Sequence, residues 1–559
     1  MSRVGTRSTD HLAAPRWGTR ALLAVVAALA VTAVGGLVAV VWPHGHHNVN
    51  AAGTVCPSPR LRVAVAPEIA GIVRSVAGAL GTGGTACSPV YVSASDPATV
   101  ALSARTGHPD MWIPSSSAWV EVANAGGTVF DAPQAVIARS PVVIVGPAPL
   151  VQALWPDHRT GWADIVRKVS THQITAMNVP DPLRDTVGLL TVLGINAVTA
   201  AGNPDPGIAQ LQALSVRGHL ADSSASPGDL FTRYAAQSDP AQAGQKIGVF
   251  VATEQQLLGY RNSSPKVPLE GYRPVDGAVE ADYPVVTARD VAGDPVRRDL
   301  AARLAARLAT GDTGQRLLDA GFETGRKAVQ NNAVPLPAAG RLVTTATQWS
   351  RYRIMRFQVL ILVDISGSMN EPAAGHLTKA DLLRQSGAEA AKLFGDETTL
   401  GLWYFGTPTA KSPAYTEAVP LGPLDKPEQR ALVAQRIAGY RAVPGAGTPL
   451  YQSILDGVAL MAPKVTAGVV TLVVVLTDGT DESSRFAMSQ ATFLTKLSTV
   501  EGPRPTVPVM TIGYGANADI AALQAIARAT GGQAVPATHA ADLSSAIARA
   551  FLAAHGATG

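Results

Sequence analysis

Cysteine, aromatic residues and net charge are all scarce in this sequence. Only two cysteines occur in 559 residues, and Phe, Trp and Tyr together make up 5%. Lys plus Arg number 45 against 41 for Asp plus Glu, and the excess of +4 is spread without a long basic run. A nucleic-acid partner is therefore not predicted. With 47% hydrophobic residues and few aromatics, Ala, Val and Leu must fill the cores, and the length suggests roughly three folded units.

Long apolar runs are also scarce, and just one is long enough to cross a bilayer. It extends from Ala21 to Trp42, and at about 1.5 Å per residue it spans about 30 Å of hydrocarbon. Four arginines precede it against a single acid, Asp10, whereas no Lys or Arg follows until Arg60. The positive-inside rule then predicts a cytoplasmic tail over residues 1–20, one transmembrane helix over 21–42, and a cell-membrane protein whose bulk is extracellular.

A cleaved signal peptide is the alternative interpretation of this run. The apolar core of such peptides is about 7 to 15 residues long. This run is longer and ends at Trp42, a residue type that favours the membrane interface. We therefore predict an anchor, followed by a spacer over residues 43–59 that is rich in Pro, Gly, His and Asn.

The two cysteines, Cys56 and Cys87, are predicted to form a disulfide bond. In an exported chain, two thiols are more often bonded to each other than free. Cys56 lies just before the strand-like "LRVAVA" and Cys87 just before "PVYVSA". Parallel pairing of these two strands would bring their starting points together.

Short valine-rich strands alternate with helical patterns from residue 60 to 325. Examples are "LRVAVA", "PVYVSA", "PVVIVGP" and "KIGVFVAT". This alternation predicts parallel sheets flanked by helices, an α/β fold. Ligands of open α/β sheets usually bind where strands end, and here such ends carry hydroxyls and free backbone N–H groups.

This segment resembles the bacterial extracellular solute-binding proteins. The resemblance rests on features that occur in this order: "PDMWIPSSS", "ARSPVVIVGP", "WADIV", "VPDPLRDTVG", "VATEQQLLGY", "DYPVV" and "GQRLLDAGF". It implies a periplasmic-binding-protein-like domain over residues 60–325, with two α/β lobes joined by a hinge. It also implies that a small-molecule solute binds between the lobes.

By this resemblance, the solute-binding residues are serines, a threonine and charged residues at strand ends and in one loop. They are Ser115, Ser116, Ser117, Ser140, Arg184, Asp185, Thr186 and Glu254. For each serine, capping of a strand or helix is an equally good explanation. Arg184 can pair with an anionic ligand, or with Asp181 or Asp185 in its own loop.

The remainder of the chain divides into a connector and a second α/β domain. Residues 326–356 contain prolines and a polar run without a clean hydrophobic period, so we interpret them as a connector. Residues 357–555 return to alternating apolar strands and amphipathic helices, which predicts a separate α/β domain.

Acidic and hydroxyl residues follow three segments of this last domain. The buried-type strand "FQVLILVD" ends in Asp364, with Ser366 and Ser368 in the turn after it. Helix signals resume at Thr378, with Asp381 three residues on in a capping-box arrangement. A second strand, "GVVTLVVVLTDG", ends in Asp478, and the loop "PGAGTPL" offers Thr448 just before a helix. Two carboxylates and three hydroxyls are hard oxygen ligands, which suit Mg²⁺ or Mn²⁺. The sequence therefore predicts a metal site.

This arrangement closely resembles the von Willebrand factor type A (VWA) domain with its metal ion-dependent adhesion site (MIDAS). "DISGSM" matches the family's Asp-x-Ser-x-Ser, "GAGTPL" carries its threonine and "VVLTDG" its second aspartate. The resemblance implies a doubly wound, Rossmann-like fold. It also implies that Ser366, Ser368 and Thr448 bind the ion directly, with Asp364 and Asp478 holding it directly or through water.

The sequence is compatible with two alternatives to a metal site. Asp-x-Ser-x-Ser is also a turn whose side chains bond only the backbone, but three matching elements in order favour the metal site. An enzyme should show a nucleophile with its base or a phosphate-cradling loop. Neither is present, since "DISGSM" is not a Gly-x-Ser-x-Gly elbow, and we predict a protein without enzymatic activity.

These features predict a membrane-anchored extracellular binding protein. Its VWA-like domain is expected to bind a protein partner through a divalent cation that accepts a carboxylate from that partner. The alternative is a tethered solute receptor, for transport or sensing, in which the VWA-like domain is a docking module. A third possibility, an intracellular subunit of a metal-inserting or ATP-driven assembly, is opposed by the predicted topology.

Overall fold

The described part of the chain lies entirely after the predicted membrane segment. A computed structural model describes residues 48–49, 55–56 and 60–537, with Ala548 and Leu552; the gaps after residue 60 are 81–87, 172, 219, 221–224, 326–332, 353–355, 375–376, 392–393, 479–480, 483–484, 502–506 and 515–517. The predicted tail and span, residues 1–42, lie outside these ranges. None of the helices within them has the length and apolar character needed to cross a bilayer.

Before residue 60 the structure describes one short antiparallel pair. Strand β1 (Asn48–Val49) pairs with β2 (Val55–Cys56). Both strands lie in the predicted spacer.

The first lobe of the fold begins with short strands that alternate with helices. Its elements are β3 (Leu61–Val65), α1 (Ala70–Gly78), β4 (Val90–Ala94), α2 (Pro97–Ser103), β5 (Met111–Ile113), α3 (Ser117–Asn124) and β6 (Ala135–Val136). Strand β3 pairs in parallel with β4 on one side and β5 on the other. This is the pairing that the cysteine argument assumed. Because Cys87 lies in a gap, the bond between Cys56 and Cys87 stays a prediction.

The second lobe follows without returning to the first sheet. Its elements are β7 (Ser140–Pro147), α4 (Ala148–Leu154), α5 (Trp162–Ser170), β8 (Met177–Asn178), α6 (Thr186–Gly202), α7 (Pro206–Gly218), α8 (Pro227–Ala235), α9 (Pro240–Ile247), β9 (Val249–Thr253), α10 (Glu254–Asn262), β10 (Leu269–Tyr272) and β11 (Glu280–Ala281). The strand order is β10-β7-β9-β8, with β11 paired to β7. Strand β7 is buried along its whole length, which explains its continuous apolar sequence.

The chain then crosses back to complete the first lobe. Strand β12 (Pro284–Thr287) pairs antiparallel with both β5 and β6, giving the order β4-β3-β5-β12-β6. Helices α11 (Pro295–Leu308) and α12 (Gly311–Asp319) pack on α1. Two crossings, after β6 and after β11, therefore connect the lobes, as the resemblance to solute-binding proteins implies.

The predicted connector contains a packed helix that the sequence analysis did not identify. Helix α13 (Ala339–Tyr352) buries Leu342, Ala346, Trp349 and Tyr352 on one face. It packs on α3 of the first lobe and on α6 and α7 of the second. Its apolar residues are spaced by four, three and three, but they are interrupted by polar residues and the pattern is short, so the period was not recognised.

A six-stranded sheet forms the centre of the C-terminal domain, residues 356–537. The elements are β13 (Arg356–Asp364), β14 (Pro372–Ala374), β15 (Leu377–Thr378), α14 (Lys379–Ala391), β16 (Thr398–Phe405), β17 (Tyr415–Pro423), α15 (Pro427–Ala438), α16 (Leu450–Met461), β18 (Val469–Thr477), α17 (Gln490–Glu501), β19 (Val509–Tyr514), α18 (Ile520–Ala529) and β20 (Ala534–Ala537). The order is β17-β16-β13-β18-β19-β20, and all pairs except β16 with β17 are parallel. The predicted mixed α/β class is confirmed.

The register of the two central strands places their polar ends side by side. Strands β13 and β18 pair in parallel with Val363 opposite Leu476. The next residues, Asp364 and Thr477, are then neighbours at the carboxyl edge, and Asp478 follows. Burial of the strands on both faces enforces this register, because a slip of one residue would move every side chain to the opposite face of the sheet.

Candidate functional site

The carboxyl edge of the C-terminal sheet gathers four of the five predicted metal ligands. Asp364 is fully buried as the last residue of β13. Ser366 and Ser368 lie in the turn that follows, with their hydroxyl oxygens 3.0 Å apart. The Ser368 hydroxyl donates to Oδ1 of Asp478 at 2.8 Å. The two strand ends predicted separately from sequence thus meet through their side chains.

Hydrogen bonds fix the orientation of Asp364. Its Oδ1 accepts from the backbone N–H of Ser366 at 2.7 Å, and its Oδ2 accepts from the Thr477 hydroxyl at 2.7 Å. Burial raises the pKa of Asp364 to about 6, although hydrogen bonds from Ser366 and Thr477 act against this shift and nearby Asp478 adds to it. Thr477 was missed by the sequence analysis, and its position directly before Asp478 was the only signal for it.

The loop that carries Thr448 lies against the serine turn. The backbone N–H of Gly367 donates to the carbonyl of Ala446 at 3.1 Å. A β-carbon at Gly367 would lie 2.9 Å from the backbone nitrogen of Gly445, which has a φ of 75° that favours glycine. Thr448 itself is buried, and its backbone exchanges hydrogen bonds with that of Glu482 after β18. The loop that carries Thr448 therefore lies beside the turn that carries Ser366 and Ser368.

A buried lysine completes the cluster. The Nζ atom of Lys379, the first residue of α14, lies 2.6 Å from Oδ2 of Asp478 and 2.8 Å from Oε2 of Glu371. Burial acts to lower the pKa of Lys379, but its hydrogen bonds and charge attraction to Asp478 and Glu371 outweigh burial and raise the pKa. The sequence did predict the start of this helix, since Thr378 and Asp381 form the expected reciprocal cap. It did not indicate that Lys379 reaches Asp478.

These residues fit a hard cation. Every side chain among the five predicted ligands offers oxygen, and the close approach of Gly367 to Gly445 leaves no room for a larger residue between the loops. The Lys379 ammonium on Asp478 shows that a positive group is already accepted there. Within the described residues, no three His, Cys, Asp or Glu side chains gather into a metal site. Because only two of the five predicted ligands are carboxylates, a cation at this edge would also depend on the three hydroxyls.

Some of the predicted solute-binding residues meet where the two lobes face each other. The hydroxyl oxygens of Ser115 in the first lobe and Thr186 in the second are 2.6 Å apart. Trp119, on α3, donates from its indole nitrogen to the Thr186 hydroxyl at 2.8 Å. Trp119 was not predicted, and the helix that brings it there begins at the predicted serine cluster. These three side chains form a polar contact between lobes.

The other predicted residues of this region have structural partners of their own. Ser116 caps α3 by accepting from the backbone N–H of Ala118. Ser117 donates from its backbone and its hydroxyl to Asp282, in the second crossing. Ser140 accepts from the backbone N–H of Gln255 at 3.0 Å. Ser116 thus makes the capping contact given as the alternative, whereas the Ser117 hydroxyl bonds the Asp282 side chain and Ser140 bonds the backbone of α10.

The charged members of the set are dispersed. Asp185 caps α6 by accepting from the backbone N–H groups of Val187 and Gly188. The Arg184 side chain is exposed, and Glu254 pairs with Arg273. Burial raises the pKa of Asp185 to about 6; the two backbone hydrogen bonds lower it, and the charges of Asp96 and Glu68 raise it. The set does not converge on one point.

Comparison with known proteins identifies the class of the first domain. Residues 61–323, a little under half of the chain, match the family model described as bacterial extracellular solute-binding protein. This part of the chain is a solute-binding-protein-like domain, which supports an extracellular or periplasmic binding or receptor function. The matched family consists of binding proteins. No curated protein matches the chain.

Solved structures with similarity to parts of the chain include members of two classes. The sulfate-binding protein SubI from Mycobacterium tuberculosis is 18% identical, with 50% of this chain and 91% of that chain covered and a TM-score of 0.34. The periplasmic binding protein AfuA from Actinobacillus pleuropneumoniae is 10% identical, with coverage of 53% and 97% and a TM-score of 0.36. A von Willebrand factor type A protein from Catenulispora acidiphila is 18% identical, with coverage of 36% and 43% and a TM-score of 0.29.

Proposed function

We propose that this protein is a membrane-anchored extracellular binding protein whose C-terminal, VWA-like domain binds a protein partner through a divalent cation. The observation that carries the proposal is the linked set Asp364, Ser366, Ser368 and Asp478 at the carboxyl edge of a buried parallel sheet. The membrane anchor is proposed from the apolar run over residues 21–42 and the arginines that precede it.

In this proposal, Mg²⁺ or Mn²⁺ is held by Ser366, Ser368 and Thr448, with Asp364 and Asp478 as direct or water-mediated ligands. A cation whose nearest ligands are mostly neutral hydroxyls keeps much of its positive charge and can accept a carboxylate from a partner. The task of the protein residues is to orient these oxygens. Thr477 and the Ser366 backbone N–H do so for Asp364, since each of its two oxygens accepts one of their hydrogen bonds.

Calorimetric titration of Mg²⁺ and Mn²⁺ into chelator-treated full-length protein in mild detergent tests the metal site. The Asp364→Ala, Ser366→Ala double variant removes two proposed ligands, whereas Asp425→Ala removes an exposed carboxylate of the same domain. We expect saturable binding in the wild type and in Asp425→Ala, and none in the double variant, with circular dichroism confirming that all three are folded. Equal binding in all three proteins, or none in any, would remove the metal mechanism.

A second candidate function is a tethered solute receptor, in which the C-terminal domain is a docking module. The match of residues 61–323 to a solute-binding family favours it. So does the polar contact of Ser115, Trp119 and Thr186 between the lobes, because hydroxyls at this position can turn to a ligand when the lobes separate.

Thermal-shift measurements against a panel of small solutes distinguish the two functions. A rise in melting temperature that is specific to one solute and persists in EDTA would support the receptor function, because a ligand stabilises the state that binds it. The matched variant is Thr186→Val, which keeps the shape of the side chain and removes its hydroxyl. A solute-specific rise that is unchanged in Thr186→Val would place the binding elsewhere.

A further inference from the structure

Lys379 is held rigidly against the proposed metal site. Its side chain is only 9% exposed, and its Nζ atom contacts Asp478, whose side chain is fully buried. Its backbone N–H donates to the carbonyl of Glu371 at 3.0 Å, and the cap between Thr378 and Asp381 fixes the first turn of its helix. The ammonium group therefore has a defined position and is not a mobile surface charge.

Both oxygens of the Asp478 carboxylate already have partners, so a divalent ion would share this carboxylate with Lys379. One carboxylate oxygen accepts from the Ser368 hydroxyl at 2.8 Å, and the other lies 2.6 Å from the ammonium. An ion bound by Ser368 and Asp478 would stand close to Nζ, and the two positive charges would repel each other where little water screens them. Such an ion would have to weaken the contact between Lys379 and Asp478.

Removal of the Lys379 ammonium would lower the stability of the folded protein when no divalent ion is bound. Asp364 and Asp478 are both buried. Among the described ion pairs, the one that involves these two carboxylates joins Lys379 to Asp478. A buried carboxylate that loses its charged partner is strongly destabilising. Lys379 thus stabilises the same carboxylate that a divalent ion would stabilise.

We infer that Lys379 is a fixed internal cation that competes with the divalent ion for Asp478 and so sets the affinity of the site. This inference rests on the proposed metal site. It makes Lys379 a positioning residue, because it acts on the ion through Asp478. Two other roles would give different results: a purely structural ion pair would not affect metal affinity, and a lysine that orients Asp478 for the ion would raise it.

The test measures two quantities on the full-length protein in mild detergent: the dissociation constant for Mg²⁺ by calorimetry, and the melting temperature in EDTA and in saturating Mg²⁺. Lys379→Met removes the charge and keeps most of the volume. We expect it to lower the melting temperature in EDTA, to tighten Mg²⁺ binding about tenfold because a repelling charge is lost, and to show a larger rise in melting temperature on Mg²⁺ addition than the wild type.

Three further variants serve as controls. Lys464→Met removes an exposed lysine of the same domain and should change neither quantity. Lys379→Arg keeps the charge and should restore the weaker, wild-type-like affinity for Mg²⁺. If Lys379→Met does not fold, Lys379→Gln gives the same test, because its amide can still donate to Asp478 without carrying a charge.

Each outcome decides the inference. Unchanged Mg²⁺ affinity in Lys379→Met and Lys379→Gln, with equal loss of melting temperature in EDTA and in Mg²⁺, would overturn it in favour of a structural ion pair. Weaker Mg²⁺ binding would overturn it in favour of a lysine that prepares Asp478 for the ion. Failure of the proposed function is distinguishable from both, since the wild type itself would then not bind Mg²⁺.

Discussion

At the scale of single residues, Asp185 shows two opposing effects of burial and capping on one carboxylate. It caps α6, yet burial raises its pKa to about 6 from the usual 3.8. Between these values the folded protein holds the proton more tightly than the unfolded chain, so stability is lost as the pH rises through about 4 to 6. Asp185→Asn keeps the cap without the charge. We expect it to raise the free energy of unfolding at pH 7.5 by up to about 3 kcal/mol and to change it little at about pH 3, below both pKa values, in urea denaturation.

Asp294→Asn is the matched control for this prediction. Asp294 caps α11 in the same way, but its side chain is 41% exposed, and backbone hydrogen bonds lower its pKa. Its ionised form is the favoured one in the folded protein, so the amide should bring no gain at pH 7.5. If both variants lowered stability at neutral pH, the charged carboxylate would be stabilising at both caps and the role of burial would be rejected.

At the scale of elements, helix α13 is the piece that joins the two halves of the chain. Trp349 is 2% exposed on its packed face, and Ser350 donates to Asp181 of the second lobe at 2.6 Å. Truncation of a buried tryptophan leaves a cavity, so Trp349→Ala should lower the free energy of unfolding by about 3 to 5 kcal/mol. Arg351→Ala, on the exposed face, should change it by no more than about 0.5 kcal/mol. Equal effects of the two variants in urea denaturation would contradict the packing of α13.

At the scale of the whole molecule, the second lobe and the C-terminal domain share a hydrophobic cluster. Leu211 and Leu214 of α7 pack in one cluster with Tyr352 and Phe357. Glu397, before β16, is half-buried near Gly218, where a β-carbon would collide with its carboxylate. Burial raises the pKa of Glu397, and its contacts with Tyr352 and Arg217 oppose this shift. Residues Pro59–Gly559 form one compact unit.

This shared cluster predicts that the two parts unfold together. We expect one heat-capacity peak for the wild type in scanning calorimetry. Leu214→Asp places a charge in the cluster. It should divide the single peak into two, the first of them at a lower temperature than the wild-type peak. Leu102→Asp, at a position that is 74% exposed, should keep a single peak. Two peaks already present in the wild type would show that the cluster does not couple the parts.

The sequence predictions were accurate for interactions between residues close in the chain and failed for interactions between distant residues. The cap at Thr378 and Asp381 depends on residues three apart, and the sequence predicted it correctly. Helix α13 was interpreted as part of a connector, because its apolar face becomes recognisable only against α3, α6 and α7. Lys379 was missed because its contact with Asp478 joins residues 99 apart in the chain. Nothing in the local pattern distinguishes this lysine from an ordinary helix residue.

The alternation of strands and helices, the buried central strands and the oxygen-bearing turns that end them are all properties of the local sequence. Hydrophobic period and turn chemistry act within a few residues, so they can be recognised without a fold. Which of those turns meet, and which side chains lie beside them, follows from the folded arrangement of distant segments. Parallel pairing of β13 with β18 brings Asp364 to Thr477, and packing of α14 brings Lys379 to Asp478. Such contacts depend on the register and packing of distant segments, which no local pattern specifies.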